Sequence, residues 1–136
     1  MLFRGRDENG IWYEGFLSIT KVKYGSVSPG FYISNAAGRP FAYAVQEETV
    51  SEFSGLYDRF DKKIFEGHVI AVDSPGHREL VEFRRGSYGY FTTNKAFIPF
   101  VNNFSLEWND RGRSLRVTVI GNRFDDPQLV PEWAFP

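Results

Sequence analysis

The chain has 136 residues, 42% hydrophobic and 18% aromatic, which is enough for the packed interior of one domain or of two small halves sharing a core. Its 16 basic and 17 acidic side chains nearly cancel, so no global electrostatic field attracts nucleic acid or an anionic membrane. Because Cys is absent, thiol catalysis, disulfides and most structural zinc sites are excluded.

The first ten residues, MLFRGRDENG, carry charges where a signal peptide would have its apolar core. No run approaches the roughly 20 apolar residues that are needed to span a bilayer. We therefore expect a soluble cytoplasmic protein with no membrane contact.

The N-terminal part of the chain predicts two hairpins and a short helix. LFR and IWYEGFLSI flank a turn at Asn9–Gly10, where both residues tolerate positive φ. FYIS and PFAYAV then form a second pair around a longer connection. In Glu47–Phe53, Thr49 followed by Glu52 fits a capping box and predicts one or two helical turns that end at Gly55.

The C-terminal part predicts short strands with frequent turns. A turn near Asp58–Lys62 leads into a strand at Lys63–Phe65, and Gly67 indicates a sharp bend before the strand HVIAV. ELVEF alternates, which puts Val81 and Phe83 on one face.

A final hairpin, with a short turn after it, completes the predicted elements. SLEW and SLRVTVIG flank NDRGR, and Asp126 would cap a helical turn that starts at Pro127. The sum is eight to ten short strands. We predict a mainly β fold of antiparallel hairpins, with a small SH3-like barrel element over about Ser54–Gly121 and one or two short helices. The expected division is an N-terminal hairpin region, residues 1–53, and a C-terminal β-barrel region, residues 54–136, forming one compact unit.

No catalytic or metal-binding pattern stands out. The two histidines could meet three nearby carboxylates, but their spacing fits no helical zinc pair such as H-E-x-x-H. These residues are His68, His77, Asp61, Glu66 and Asp73. GSVSPG is not a nucleophile elbow, and no phosphate-binding loop is present. We predict a non-catalytic protein without metal or cofactor, with one histidine half-buried and the other exposed.

FRRGSYGYFTT interleaves basic and aromatic residues, a pattern that binds single-stranded nucleic acid by stacking and phosphate contact. The alternation puts Tyr88 and Tyr90 on one face, which either binds bases or faces the core. The candidate nucleic-acid residues are Arg84, Arg85, Tyr88, Tyr90, Lys95, Arg111 and Arg113. The β-α-β-β-α-β context of an RNA-recognition domain is absent, so we favour a structural strand.

Three motifs resemble the YopX family of small phage and prophage proteins. VQEETVSEFSGLYDRFDKKIFEGHVIAV is similar to the family's central pattern, FRGRDENGIWYEGFL to its opening and VIGNRFDDPQLV to its closing segment. The matching residues that we take as structural are Gly55, Leu56, Asp58, Ile64, Phe65, Glu66, Gly67, Gly121 and Asn122. Phe60–Asp61 stands where the family usually has Asn-Gly, His68 replaces an Asp, and Glu47 replaces a Pro.

The resemblance implies a phage or prophage protein acting in the cytoplasm of a bacterial host, but it supplies no activity. We therefore predict an accessory protein that binds a host or phage protein without catalysis. The alternative is nucleic-acid binding through the basic and aromatic strand. Open β edges would also allow the chain to associate with a second copy of itself.

Overall fold

The protein is described here from a computed structural model. The described residues are 1–23, 25–35, 42–72, 78–84, 86–91, 96–100, 106–109 and 112–134, with the backbone alone in 106–109 and 112–114. They divide into two compact units, Met1–Phe53 and Ser54–Pro136. No helix in this part of the chain is long and apolar enough to cross a membrane.

The strands of the first unit are β1 (Phe3–Arg6), β2 (Trp12–Thr20), β3 (Gly30–Ser34), β4 (Tyr43–Val45) and the start of β5 (Ser51–Tyr57). They form an antiparallel sheet in which neighbouring strands have the order β4, β3, β2, β1 and β5. The predicted turn at Asn9–Gly10 is present. The Asp7 carboxylate accepts hydrogen bonds from the Asn9 and Ile11 N–H groups, and Gly10 has a φ of 84°.

This sheet curls so that β4 ends beside β1. The Gln46 N–H donates to the Arg6 carbonyl at 2.8 Å. A Cβ built on Gly5 would lie 2.7 Å from the Val45 side chain, so the absence of a side chain at Gly5 lets Val45 sit against the strand. Ile33 is fully buried in the same unit, and the Tyr13 and Tyr43 rings stack with centroids 4.0 Å apart.

The helix predicted over Glu47–Phe53 is wrong. Only Glu47–Thr49 forms a 3-10 turn, its N-cap Gln46 makes no side-chain cap bond, and β5 starts at Ser51. The Thr49 hydroxyl accepts a hydrogen bond from the Arg6 N–H at 2.9 Å and donates to the Gln46 carbonyl at 2.7 Å. Because the following residues pair with β1, tertiary pairing overrides the local capping signal.

The strands of the second unit after β5 are β6 (Lys63–Phe65), β7 (His68–Val72), β8 (Arg78–Leu80), β9 (Glu82–Arg84), β10 (Ser87–Phe91), β11 (Phe97–Pro99), β12 (Leu106–Asn109), β13 (Gly112–Leu115) and β14 (Val117–Asn122). They include two three-stranded sheets, one with the order β14–β7–β8 and the other with the order β11–β10–β9. β13 pairs in parallel with Leu56–Tyr57 of β5. Two 3-10 turns, Pro127–Leu129 and Glu132–Ala134, follow.

The mainly β, antiparallel prediction is confirmed, with two corrections. The described residues contain no α-helix: Glu47–Thr49 and Pro127–Leu129 are 3-10 turns, and the Asp126 side chain, predicted to cap the second, makes no cap hydrogen bond. The described strands also form no closed barrel, so the SH3-like barrel element expected from sequence is not observed. Several strands have only three residues and one of them ends at Pro99, so the ladders stop before they can join into a barrel.

ELVEF is not one alternating strand. It breaks at Val81, whose N–H donates to the His68 carbonyl and whose carbonyl accepts from the Gly67 N–H. Val81 is buried whereas Phe83 is 41% exposed, so the prediction that they share a face is wrong. The core of this unit is formed by Ile64, Ile70, Val81, Tyr90, Phe100, Leu115, Val117 and Val119.

Candidate functional site

The basic and aromatic strand presents its tyrosines to the interior. Tyr90 is only 5% exposed and stacks on Phe100 with ring centroids 6.1 Å apart. Tyr88 packs against the same core. Neither ring is therefore placed as an exposed platform for a nucleic-acid base. Four of the basic residues predicted to contact nucleic acid cannot be placed, because the described residues do not include Arg85, Lys95, Arg111 or the side chain of Arg113.

Arg84 belongs to an ionic cluster on β9. Its guanidinium lies 3.0 Å from the Glu82 carboxylate and 5.6 Å from the centre of the Phe91 ring. The Glu82 carboxylate also meets Arg123 at 3.4 Å although Glu82 itself is only 3% exposed. Glu66 accepts a hydrogen bond from the Phe83 N–H. The charges of Arg84 and Arg123 therefore offset part of the free-energy cost of burying the Glu82 carboxylate.

Burial raises the pKa of Glu82 above its ordinary value of 4.5, and the Arg84 and Arg123 charges oppose that shift. The folded state thus binds the Glu82 proton more tightly than the unfolded chain does. The contribution of Glu82 to stability is complete below its ordinary pKa and is lost as pH rises through the raised one.

The unmodified protein loses the contribution of Glu82 as pH rises, whereas Gln cannot ionise. The difference in unfolding free energy, Glu82→Gln minus the unmodified protein, should therefore increase between about pH 4 and about pH 7. Denaturant unfolding of both proteins at several pH values measures this difference. A difference that shrinks as pH rises would contradict the assignment. Glu48→Gln, which removes the same charge at an exposed position, is the matched control.

The family-motif residues of the central segment are occupied in holding the backbone. The Asp58 carboxylate, 1% exposed, accepts hydrogen bonds from the N–H groups of Phe60 at 2.8 Å, Lys62 at 2.9 Å and Val119 at 3.0 Å. Asp61, in the same turn, has a φ of 63° and takes the left-handed conformation at the position where the family usually has Gly. The turn is therefore built without its usual glycine.

Gly67 and Asn122 complete this framework. Gly67 has a φ of 88°, and its carbonyl accepts from the Arg123 N–H at 2.8 Å. The Asn122 side chain accepts from the N–H groups of Phe124 and Asp125 and donates to the Asp125 carboxylate. Ile64 and Phe65 are buried, Leu56 packs on the core, Gly55 has a φ of 81°, and a Cβ at Gly121 would meet the Asp126 carboxylate. These positions specify turns and packing.

His68 is also structural. It is 3% exposed, and its Nδ1 accepts a hydrogen bond from the Phe65 N–H at 3.0 Å. The expectation of a half-buried histidine therefore understates its burial. His77 and Asp73 lie outside the described residues, and within those residues no group of three metal-ligating side chains is found.

The first unit carries a different arrangement, which we call the Trp12 face. Alternation along β2 puts Trp12 and Phe16 on one side of the sheet. The cross-strand partners Arg6↔Trp12, Arg4↔Glu14 and Ser18↔Tyr32 bring further side chains to that side. The Trp12 face comprises Arg4, Arg6, Trp12, Phe16 and Tyr32, with Glu14 and Ser18 between them.

Cations and rings are in direct contact on the Trp12 face. The Arg4 guanidinium carbon lies 3.8 Å from the centre of the Trp12 ring, and that of Arg6 lies 5.8 Å away. Phe16 is 66% exposed, whereas the Tyr32 hydroxyl is anchored on the Ser28 carbonyl at 2.6 Å. The face thus combines a guanidinium-stacked indole with a phenyl ring that projects into solvent.

Sequence reasoning did not select the Trp12 face. Both sides of β2 carry apolar residues, for example Phe16 on one side and Leu17 on the other, so the period-two pattern did not say which side is buried. The usable signal was the register fixed by the Asn9–Gly10 turn. That register places Arg6 opposite Trp12.

A family model described as YopX protein matches residues 2–131, a range that includes residues of both units. A search of curated proteins finds no match.

Proposed function

The chain belongs to the YopX family, and from this premise we propose that it is a non-catalytic module that binds a partner protein through the Trp12 face. The observation that carries the proposal is the exposure of Phe16 beside the arginine-stacked Trp12. Exposed apolar side chains are common singly, but an aromatic and guanidinium cluster on one sheet face is typical of an interface.

The chemistry of the face favours a protein as its ligand. Trp, Tyr and Arg are the residues that contribute most to binding energy when they are buried at interfaces. The Arg4 guanidinium already stacks on the indole, so Trp12 would lose little conformational freedom on binding. The partner surface that complements the indole and the phenyl ring of this face is apolar.

Three described ionisable side chains that make contacts inside the fold support a binding role over a reaction. Asp58 and His68 accept backbone hydrogen bonds inside the fold, and Glu82 is held between two arginines. The family resemblance supports an accessory protein of a phage or prophage that acts in the cytoplasm of a bacterial host. We propose that it binds the surface of a host or phage protein there.

Phe16→Ser should remove most partner binding while the fold is kept, because Phe16 is largely in solvent. Truncation of a central aromatic at an interface commonly costs about 2 kcal/mol or more, which corresponds to at least roughly thirtyfold in affinity. The measurement is capture of bacterial host proteins on the tagged chain, with nuclease, followed by titration of the retained protein.

Phe60→Ser is the matched control, because Phe60 is 73% exposed, belongs to the second unit and is not one of the residues of the Trp12 face. A partner that is retained by Phe60→Ser and lost by Phe16→Ser supports the proposal. Equal retention by both variants would contradict the assignment to the Trp12 face.

Nucleic-acid binding is the second candidate, and the Arg84–Phe91 contact favours it. It predicts that captured material disappears on nuclease treatment and that affinity falls steeply with salt. It also predicts loss of binding when Arg84 and Arg85 are both changed to Ala. The partner-protein proposal predicts that this double variant binds as the unmodified chain does.

A further inference from the structure

Half of β2 forms an open sheet edge. The β1 ladder ends at Phe3↔Gly15, and β3 pairs with Phe16–Thr20 from the other side. Within the described residues, no strand pairs with Phe16–Thr20 opposite β3. Alternate N–H and C=O groups of these five residues therefore point away from the sheet, as they do on any edge strand.

This edge lacks the features by which proteins block strand addition. Phe16–Thr20 reads FLSIT, which contains no charge, proline or glycine. Phe16 is 66% exposed on one face of the strand and Ile19 is 53% exposed on the other. Both faces of the edge thus offer apolar surface to an incoming strand.

Three other described edges, those of β14, β9 and β11, are blocked. Asp58 and Arg59 hold the Val119 N–H and the Val117 carbonyl of β14, and Glu66 accepts from the Phe83 N–H of β9. β11 contains Pro99, which has no N–H group. The unprotected segment of β2 therefore differs from these edges.

The sequence of the edge is complementary to itself. In an antiparallel pair of two copies, a two-fold axis perpendicular to the sheet requires residue i to face residue j and j to face i. Centring that axis on Ser18 places Leu17 opposite Ile19 of the second copy, and Phe16 opposite its Thr20. This register sets two apolar pairs beside the axis and no like charges opposite each other.

We propose that a second copy of this chain binds at the Phe16–Thr20 edge, forming an antiparallel β2–β2 pair centred on Ser18. The same axis brings the Trp12 faces of both copies to one side of a continuous sheet, which doubles the binding surface. Five residues a strand bury less than the roughly 1,200–2,000 Å² of a stable interface, so the dimer is reversible. The inference does not rest on the proposed function.

The test uses the absence of Cys from the natural sequence. In Ser18→Cys, the two introduced thiols face each other across the axis with Cα atoms about 4.5–5.5 Å apart, within reach of a disulfide. Mild oxidation of the full chain should give covalent dimer at least roughly tenfold faster than in Ile11→Cys, whose residue is 53% exposed but lies outside the pairing register. Sedimentation of the unmodified chain should show dimer increasing with concentration.

Ile19→Lys places a charge opposite Leu17 of the second copy and should shift the chain to monomer, with circular dichroism reporting that it folds. Ser18→Cys that cross-links no faster than Ile11→Cys would overturn the proposal. Dimerisation that survives Ile19→Lys would also overturn it, because the contact would then lie elsewhere. If Ile19→Lys fails to fold, the cross-linking comparison decides. These results are obtained without a partner protein, so they are independent of the Phe16→Ser capture.

Discussion

Asp58→Ala is expected to lower the free energy of unfolding by about 3–5 kcal/mol, the largest effect of any single substitution considered for this chain. The carboxylate is 1% exposed and accepts three backbone N–H groups, from Phe60, Lys62 and Val119. Val119 is 61 positions away in sequence, so its bond ties the turn to β14. Ala would leave the Val119 N–H buried with its acceptor gone.

Asp58→Asn separates the contribution of the bonds within the turn, from Phe60 and Lys62, from that of the bond from Val119. One amide oxygen can still accept from Phe60 and Lys62, but the amide nitrogen would then face the Val119 N–H. We expect a smaller loss for Asn than for Ala, measured by urea unfolding of the whole chain. Equal stability of Asp58→Ala and the unmodified protein would mean that the Val119 bond contributes nothing.

Gly15→Ala is expected to cost roughly 3 kcal/mol of unfolding free energy, at the upper end for overpacking. A Cβ on Gly15 would overlap the backbone carbonyl oxygen of Ser34 and approach the Asn35 side chain. Because a carbonyl in the β3 backbone cannot rotate away, the strands must separate. The expected loss is confined to the first unit, where hydrogen exchange of β2 and β3 amides should accelerate most.

Gly55→Ala is the control for the conformational cost of adding a methyl group. Gly55 has a φ of 81° but no atom within 4 Å of its built Cβ, so Ala there bears only the backbone strain of about 1–2 kcal/mol. Gly15 lies in an ordinary strand conformation. The unfolding free energy that is lost in Gly15→Ala therefore reports only the close approach of the added methyl group to the Ser34 carbonyl. A Gly15→Ala protein more stable than Gly55→Ala would contradict the close packing of β2 on β3.

The sequence predicted those elements whose signals are local. The Asn9–Gly10 hairpin, the strand Lys63–Phe65 and the bend at Gly67 follow from turn residues and alternation, and the structure contains all three. The predictions failed where contacts with residues distant in sequence determine the local structure. Thr49 and Glu52 resemble a helix cap, but the Thr49 hydroxyl bonds to Arg6, 43 positions away, and the chain continues as a strand.

The candidate site was harder to predict for the same reason. Tyr88 and Tyr90 were expected either to bind nucleic-acid bases or to face the core. Alternation along the strand could not distinguish these two alternatives. The core that covers Tyr90 is assembled from Phe100 and from residues more distant in sequence, such as Ile64 and Val117. Conversely, Phe16 sits in a strand that is apolar on both faces, so its exposure depends on which side the sheet curls toward.

The residues that match the family motifs explain the fold of this chain more than its function. Asp58, Gly67 and Asn122 hold turns by backbone hydrogen bonds or a left-handed φ. Substitutions at these positions would change stability first. The proposed binding residues Trp12 and Phe16 are instead on a face whose side chains the fold leaves partly in solvent, which separates binding from folding.

Hydrogen exchange of the chain with and without its captured partner, at one fixed chain concentration, tests the central claim most directly. The account predicts slowed exchange in Trp12–Thr20 and Gly30–Ser34 when the partner is bound, with Ser87–Phe91 unchanged. Protection confined to Glu82–Arg84 and Ser87–Phe91, with none in β2 or β3, would contradict binding through the Trp12 face.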